Sequence, residues 1–187
     1  MEEELWSYHP GEFADISLEE VMEECDHLLS GNRIYEGEEQ TLLRRSCVFT
    51  NDVKRARRYL PSYHDVEFYT WDQSPITLDI KRRVQELRGH AFDYALFHCY
   101  PNGKANIGYH NDKEALNSSV ASVSIGHPRR FLIRKIDQTR GFIAEYRLGG
   151  GDFFVMKRGM QRGYKHSIPK ELKIKEPRCN WTFRTFL

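Results

Sequence analysis

The segment Gly108-Tyr109-His110-Asn111-Asp112 places a histidine and a carboxylate two residues apart. Side chains alternate between the two faces of an extended strand, so His110 and Asp112 can hold one metal ion together. His166, arriving from a distant strand, would complete two imidazoles and one carboxylate on one face of an octahedron, with three positions left for a bidentate co-substrate and oxygen. This ligand set is typical of non-haem Fe(II) oxygenases, although the H-x-D pair alone is a weak signal that more often marks two exposed polar side chains.

A second polar group follows His166 in the segment Arg178-Cys179-Asn180-Trp181-Thr182-Phe183-Arg184. On a strand, residues 178, 180, 182 and 184 share one face, which then carries two guanidiniums, an amide and a hydroxyl. Arginine binds carboxylates through paired hydrogen bonds, so this face predicts a wall for a dicarboxylate whose other end reaches the metal. That favours iron over a hydrolytic zinc centre. A charged surface strand is the alternative, but it leaves the aromatic opposite face unexplained unless both faces are buried.

The rest of the chain supplies the elements that must position these residues. Ser17 and Glu20 form a capping box before a helix predicted over about residues 18–30, and Pro75 and Gly89 bound a second predicted helix. Strands are predicted over residues 40–50, 66–71, 94–100, 107–112, 120–125, 130–136, 142–148, 152–156, 165–168 and 180–186. The expected fold class is therefore α+β and mainly β: a double-stranded β-helix, or jelly roll, with two N-terminal covering helices.

Composition narrows the class of protein. With 187 residues, 40% hydrophobic and 29% charged, the chain fits one globular domain. No apolar run approaches the ~20 residues of a membrane helix, and the acidic N-terminus lacks the features of a secretory signal. The four cysteines form no C-x-x-C pair, so reduced thiols and an intracellular protein are expected.

The net charge of +1 is unevenly distributed. Residues 1–40 hold 13 acidic residues and one arginine, whereas the remainder holds 14 acidic and 27 basic residues. This asymmetry indicates either a cationic body that binds a polyanion, with an acidic segment facing elsewhere, or an acidic helix solvated at the surface. The cluster Lys54, Arg55, Arg57 and Arg58 is interpreted as a loop that contacts phosphates or is simply solvated.

Together, these motifs resemble the AlkB family of 2-oxoglutarate- and Fe(II)-dependent nucleic-acid dioxygenases. The H-x-D pair is followed by Lys165-His166-Ser167-Ile168-Pro169 and by an R-x-x-x-x-x-R pattern in the last strand. The similarity also includes residues 121–126 and 130–131, covers about residues 40–187, and is closest to the DNA-repair branch. The resemblance implies a dioxygenase domain over residues 36–187, with a nucleotide-recognition segment at about 36–90, and an acidic arm and helix over residues 1–35 packed on it.

The resemblance also implies a role for each matched residue. Iron would be bound by His110, Asp112 and His166. The 2-oxoglutarate would be bound by His98, Tyr100, Arg178, Asn180, Thr182 and Arg184, with Arg178 and Tyr100 on its distal carboxylate. The damaged base would be bound by Tyr69, Trp71, Lys113 and Glu114.

With Fe(II), 2-oxoglutarate and O2, such an enzyme removes N-methyl groups from bases in DNA or RNA and releases formaldehyde. Its expected substrates, 1-methyladenine and 3-methylcytosine, are cationic, so stacking on Trp71 near Glu114 would favour them by about 1 kcal/mol. Phosphate contacts are expected from cations such as Arg44, Arg45, Lys104 and Arg129.

Two departures from the family pattern matter. His98 stands where relatives place asparagine, and its ring N–H would replace the amide donor. Relatives that repair duplex DNA insert an apolar finger, whereas the comparable segment Tyr35-Glu36-Gly37-Glu38-Glu39 is acidic. A monomer that prefers single strands or unpaired bases, without membrane association, is therefore expected. The alternatives are a 2-oxoglutarate oxygenase acting on a protein or small molecule, and a nucleic-acid-binding module that has lost turnover.

Overall fold

The structure, a computed structural model, describes residues 4–35 and 38–187, with side chains described outside residues 32–42. Its strands are β1 (Trp6–His9), β2 (Ser30–Tyr35), β3 (Glu38–Thr50), β4 (Glu67–Thr70), β5 (Tyr94–Tyr100), β6 (Ile107–His110), β7 (Val120–Gly126), β8 (Arg129–Lys135), β9 (Ala144–Leu148), β10 (Asp152–Met156), β11 (Tyr164–Ile168) and β12 (Arg178–Arg184). Its helices are α1 (Leu18–Cys25), α2 (Val53–Tyr59), α3 (Pro75–Arg88) and α4 (Met160–Gly163).

The strands form two sheets. The larger has the order β1-β10-β7-β12-β5-β3-β2, with β4 parallel to β3, and the smaller has the order β6-β11-β8-β9. Strand β12 lies between β5 and β7 and is antiparallel to both. A side chain on β12 therefore has a neighbour on each side, which fixes its direction.

Both faces of the larger sheet are covered. On one face, Phe97 and Trp181 stack with ring centroids 4.6 Å apart, in a core that also includes Val21 of α1 and Val84 of α3. On the other face, Phe154 meets Phe131 of the smaller sheet at 5.0 Å. The predicted jelly roll with two covering helices is confirmed.

The predicted helix signals operate as expected. The Ser17 hydroxyl accepts a hydrogen bond from the Glu20 amide, and the helix it caps ends at Cys25, before a 3-10 turn over Asp26–Leu28. Pro75 begins α3, which ends at Gly89 with φ of 69°. Glycine adopts this left-handed conformation at little cost, so the helix stops there.

The interpretation of residues 54–58 as a loop is wrong, because they form α2. The Asp52 carboxylate accepts a hydrogen bond from the Arg55 amide and caps the helix, while Ala56 is fully buried. No strand is predicted in the N-terminal arm, but the structure has β1 there, which pairs with β10 and places Trp6 opposite Met156.

The acidic N-terminal segment lies against the cationic body. Asp15 makes a 2.8 Å ion pair with Arg83 of α3, and Asp26 pairs with Arg45 of β3. The Glu24 carboxylate accepts a hydrogen bond from the first turn of α3. Part of the charge asymmetry is therefore neutralised within the fold.

In the part of the chain that the structure describes, no helix is long and apolar enough to cross a bilayer. Cys25, Cys47, Cys99 and Cys179 are all buried free thiols.

Candidate metal centre

His110 and His166 meet because β6 and β11 pair in the smaller sheet. The two residues lie directly opposite each other in the antiparallel register, and their ring centroids are 4.3 Å apart. Directly opposed residues on an antiparallel pair bring their side chains together on one face. Strand pairing thus brings together two histidines that are more than fifty residues apart in the sequence.

Asp112 lies just beyond the end of β6, so the prediction that a strand carries it is wrong. Its backbone is nevertheless extended (φ −84°, ψ 93°) as it precedes the 3-10 turn Lys113–Ala115, which keeps the carboxylate near His110. The side-chain carbonyl of Gln161 accepts a 2.8 Å hydrogen bond from the Asp112 amide, and the Gln161 backbone carbonyl accepts one from Asn111. Gln161 therefore fixes the loop that presents the carboxylate.

The three side chains converge without bonding to one another. His110 Nε2 lies 3.6 Å from Asp112 Oδ1, and His166 Nε2 lies 3.8 Å from Asp112 Oδ2. These distances are too long for hydrogen bonds. One potential ligand atom from each residue lies within 4.8 Å of the others, and among the described residues Asp112 Oδ2 has an ion pair with Arg184 but no hydrogen bond of good geometry. Two imidazoles and a carboxylate oriented in this way fit a divalent transition metal.

Protonation suits metal binding. His110 Nδ1 lies 2.8 Å from the Gly108 carbonyl oxygen, which can only accept, so Nδ1 carries a proton and Nε2 is the nitrogen left to bind a metal. Burial lowers the pKa of His166 to about 4, which leaves its imidazole neutral near pH 7. Burial raises the pKa of Asp112, but the Arg184 guanidinium and then the two histidines more than offset this, so the pKa is lowered.

Next to this cluster lies a cavity of about 50 Å³. It is lined by the predicted wall of β12 together with β5: His98, Tyr100, Arg178, Asn180, Thr182 and Arg184. Strand pairing places Arg178 opposite Tyr100 and Asn180 opposite His98. The wall is polar, and the opposite face of β12 is buried under the helices, which answers the question of why that face is aromatic.

Arg178 is 2% exposed and carries one unused donor. Its Nε donates to the Leu148 carbonyl and its Nη2 to the Ser124 hydroxyl, both at 2.8 Å. The guanidinium lies 5.3 Å from the Tyr100 ring centroid. Its Nη1 is buried without a hydrogen-bond partner in the described ranges. Because an unpaired buried guanidinium N–H is costly, this donor is suited to an anionic group in the cavity.

Arg184 links the wall to the metal cluster. Its Nη2 lies 3.3 Å from Asp112 Oδ2, and its Nη1 lies 3.6 Å from a carboxylate oxygen of Glu114. The side chain is almost fully buried, which by itself lowers its pKa, but the nearby acidic groups, Asp112 foremost and then Tyr94, Tyr63 and Glu114, raise the pKa above its usual value.

His98 lies on the boundary of the small cavity. Its Nδ1 is 2.6 Å from the Ser46 hydroxyl oxygen. Burial, followed by the charges of Arg44 and Arg184, holds its pKa well below the usual range, so the ring is neutral.

A larger cavity of about 230 Å³ also borders the cluster, at His110 and Asp112. Lys113 and Glu114, two of the predicted substrate residues, line it, and the Tyr59 hydroxyl of α2 donates to the Glu114 carbonyl. Arg44, which is expected to contact phosphate, also lines this cavity, and so does Tyr63, which was assigned no role from the sequence.

Trp71 and Tyr69 are not brought to either cavity. Trp71 is 5% exposed and stacks between Phe183 and Phe49, at centroid distances of 6.2 and 6.3 Å. The prediction that Trp71 stacks on a base is therefore wrong: β4 ends at Thr70, and Trp71 turns into the core in a 3-10 turn. Tyr69 packs on the same core through Phe49.

Arg129 is likewise not a surface cation. It is 1% exposed, its Nε lies 3.0 Å from a Glu171 carboxylate oxygen, and its Nη2 donates to the carbonyls of Ala105 and Pro169. The expectation that it contacts phosphate is wrong, because the guanidinium is fully engaged in joining loops.

Two residues of the site, Gln161 beside Asp112 and Tyr63 in the larger cavity, were not predicted from the sequence. Gln161 lies in a four-residue helix after Gly159, and nothing in its local sequence connects it to Asp112. Tyr63 lies in the short 3-10 turn that begins at Pro61. An aromatic residue in an otherwise polar loop was the one feature of the sequence that could have indicated a binding role.

Comparison with known proteins agrees with this geometry. A profile of the 2OG-Fe(II) oxygenase superfamily matches residues 12–184. The alpha-ketoglutarate-dependent dioxygenase alkB homolog 3 of Bos taurus is 33% identical over 121 residues, which cover 59% of this chain and 42% of that protein. The DNA oxidative demethylase ALKBH2 of Bos taurus is 33% identical over 122 residues, 60% of this chain and 44% of that protein. The match thus spans less than half the length of each relative.

The solved structure of OsALKBH1 superimposes with a TM-score of 0.62 and covers 97% of this chain and 96% of that one, at 16% identity, which supports the fold alone. The chain is similar to the two bovine relatives and belongs to the 2OG-Fe(II) oxygenase superfamily.

Proposed function

We propose that this protein is an Fe(II)- and 2-oxoglutarate-dependent dioxygenase that removes methyl groups from alkylated bases in nucleic acid. The observation that carries the proposal is the position of the unpaired, buried Arg178 Nη1 in the same cavity as the converging ligands of His110, Asp112 and His166. A buried cation on that wall suits the distal carboxylate of a keto acid, which favours an iron oxygenase over a hydrolytic metal site. The printed names of the two bovine relatives, a dioxygenase and a DNA demethylase, agree with this reading.

The small cavity would hold the keto acid. Arg178 and Tyr100 would bind its distal carboxylate, with Asn180 and Thr182 beside it. Arg184 would face the metal-bound end while it keeps Asp112 ionised. All of these groups come from two paired strands, so the wall is rigid before any ligand binds.

The chain's own contribution to the reaction is to bind and orient. His110 would present its Nε2 atom, His166 a neutral imidazole and Asp112 one negative charge, so the site suits a divalent cation. When bound, iron with 2-oxoglutarate and O2 supplies the oxidation of an N-methyl group, and the hydroxymethylated base then releases formaldehyde. The residues around the site transfer no proton in this scheme and instead position the reactants.

The larger cavity would receive the base. Lys113 lies exposed at its edge, where it can meet a backbone phosphate, while the half-buried Glu114 offers a carboxylate to a cationic base. Tyr63 lines this cavity and would stack on the base, the role predicted for Trp71. A positively charged 1-methyladenine or 3-methylcytosine is favoured near such groups by about 1–2 kcal/mol over a neutral base.

We further propose that the preferred substrate is single-stranded or already unpaired, and that the enzyme acts as a monomer. The first proposal rests on the sequence of the segment Tyr35–Glu39, which is acidic where relatives that repair duplex DNA insert an apolar finger. Glu36 and Gly37, and the side chains around them, lie outside the described residues. The second rests on the presence of all the proposed ligands in one chain.

The experiment is a mass-spectrometric panel of 1-methyladenine and 3-methylcytosine oligomers, as single- and double-stranded DNA and RNA. Each is incubated with protein, Fe(II), ascorbate and 2-oxoglutarate. We expect loss of 14 Da, the mass of a CH2 unit, with formaldehyde and succinate formed in equal amounts, fastest on single strands. Turnover of 2-oxoglutarate that no methylated oligomer stimulates would instead support a protein or small-molecule substrate.

A further inference from the structure

Three residues line both the small and the larger cavity: His98, His110 and Asp112. Two of them belong to the metal cluster. His98 does not, because its ring nitrogens are not among the ligand atoms that converge within 4.8 Å. It is 8% exposed, so its ring edge faces the junction of the two cavities and little else.

Two neighbouring strands fix the orientation of this ring. His98 lies on β5 directly opposite Ser46 of β3 on one side and Asn180 of β12 on the other. The Ser46 hydroxyl oxygen lies 2.6 Å from His98 Nδ1. Because Nδ1 is engaged with the strand behind, Nε2 is the nitrogen available to the cavities.

The hydrogen bond is compatible with two tautomers of the neutral ring. Ser46 also lines the larger cavity, so its hydroxyl does not depend on His98 as an acceptor. If Nδ1–H donates to Ser46, Nε2 presents a lone pair to the cavities. If the hydroxyl donates instead, Nδ1 accepts and a neutral ring carries its proton on Nε2.

We propose that Ser46 holds His98 in the Nε2–H tautomer, and that His98 donates this N–H to the bound 2-oxoglutarate. Ser46 is then a positioning residue for the co-substrate, and His98 a binding residue. The keto acid presents only acceptor oxygens, so a ring lone pair at this point would repel it and an N–H attracts it. This inference rests on the proposed function.

The tautomer is measured directly by 15N NMR of histidine-labelled protein without metal, with the His98 signals assigned through His98→Asn. We expect the Nε2–H pattern in the wild type and a mixed or Nδ1–H pattern in Ser46→Ala. A wild-type ring protonated on Nδ1 would overturn the proposal, and this result requires no variant other than the assignment control to fold.

Binding of 2-oxoglutarate to the Mn(II)-loaded protein, measured by calorimetry without oxygen, provides the second readout. His98→Phe should weaken binding by about tenfold or more, since a hydrogen bond to a charged group is lost. Ser46→Ala should fall between this variant and the wild type, and His98→Asn should recover affinity because its amide donates. Mn(II) affinity should not change.

Matched controls are Ser7→Ala and His9→Asn, which break an exposed serine–histidine hydrogen bond of 3.0 Å on β1, away from both cavities. These variants should bind 2-oxoglutarate as the wild type does. Wild-type affinity in Ser46→Ala would overturn the role of Ser46 and His98 while the proposed function stands. Absence of 2-oxoglutarate binding to the wild type would overturn both.

Discussion

Arg184 Nη2 lies 3.3 Å from Asp112 Oδ2, so a cation of the last strand neutralises a carboxylate of the metal cluster before any metal arrives. Both side chains are almost fully buried. Without the guanidinium, the carboxylate would be an isolated buried charge, which proteins avoid by protonation or unfolding. The relationship makes the last strand part of the metal site as well as of the co-substrate wall.

Replacement of Arg184 should therefore destabilise the metal-free protein. We expect Arg184→Met to lower the free energy of unfolding by about 3 kcal/mol, because one partner of a buried ion pair is removed. Mn(II) should restore part of this loss, since the cation takes the place of the guanidinium beside Asp112. Urea denaturation with and without Mn(II) measures both effects. Arg130→Met, which removes an exposed pair with Glu145, should change little, and an equal loss in the two variants would contradict this reading.

Arg178 should control co-substrate affinity more than stability. Loss of hydrogen bonds to a carboxylate in Arg178→Met should weaken 2-oxoglutarate binding to the Mn(II)-loaded protein by about 10- to 100-fold. Arg178→Lys should retain part of the affinity, because the charge remains but the paired geometry is lost. Calorimetry compares these variants with Arg147→Met, whose side chain is half exposed outside the cavity. Undiminished affinity in Arg178→Met would remove Arg178 from the proposed site.

Gln161 should act on metal affinity through the Asp112 backbone. Gln161→Ala leaves the buried Asp112 amide without its acceptor, and we expect Mn(II) to bind about tenfold more weakly, as measured by electron paramagnetic resonance titration. Gln161→Glu keeps an acceptor oxygen and should recover part of the affinity, which a general packing defect would not. Gln138→Ala, in a turn away from the cluster, is the matched control. If both alanine variants bind Mn(II) equally, Gln161 has no positioning role.

Substitutions of Trp71 and Tyr63 should have different effects, the first on the stability of the fold and the second on substrate binding. Trp71→Ala removes a stacked core side chain and should lower the free energy of unfolding by about 3–5 kcal/mol. Tyr63→Ala should leave stability nearer the wild type and raise KM for a 3-methylcytosine oligomer. Denaturation and steady-state formaldehyde release measure the two effects. The opposite outcome, with KM changed by Trp71→Phe and not by Tyr63→Ala, would restore the base-stacking role predicted for Trp71.

The parts of the site that the sequence predicted are those that follow strand periodicity. Residues 178, 180, 182 and 184 share one wall because β12 is regular over its whole length and paired on both sides. The relation between His110 and Asp112 holds although the strand ends first, since the backbone at Asp112 is still extended. The same rule failed at Trp71, where one residue beyond the end of β4 was enough to turn the ring into the core.

The parts that the sequence did not predict depend on distant contacts. The four-residue strand β1 exists because β10 pairs with it, nearly 150 residues along the chain. Helix α2 was not predicted because it has few apolar residues among its arginines and lysine, so the sequence shows no clear helical repeat of hydrophobic residues. Gln161 and Ser46 gain their roles only from side chains that the fold brings to them.

A crystal structure of the protein with Mn(II) and 2-oxoglutarate, grown without oxygen, would test the proposed metal site and co-substrate wall together. We expect one ion bound by His110 Nε2, the Asp112 carboxylate and His166 Nε2, with the distal carboxylate of the keto acid on Arg178. An ion bound elsewhere, or a keto acid that avoids Arg178, would contradict the proposed function.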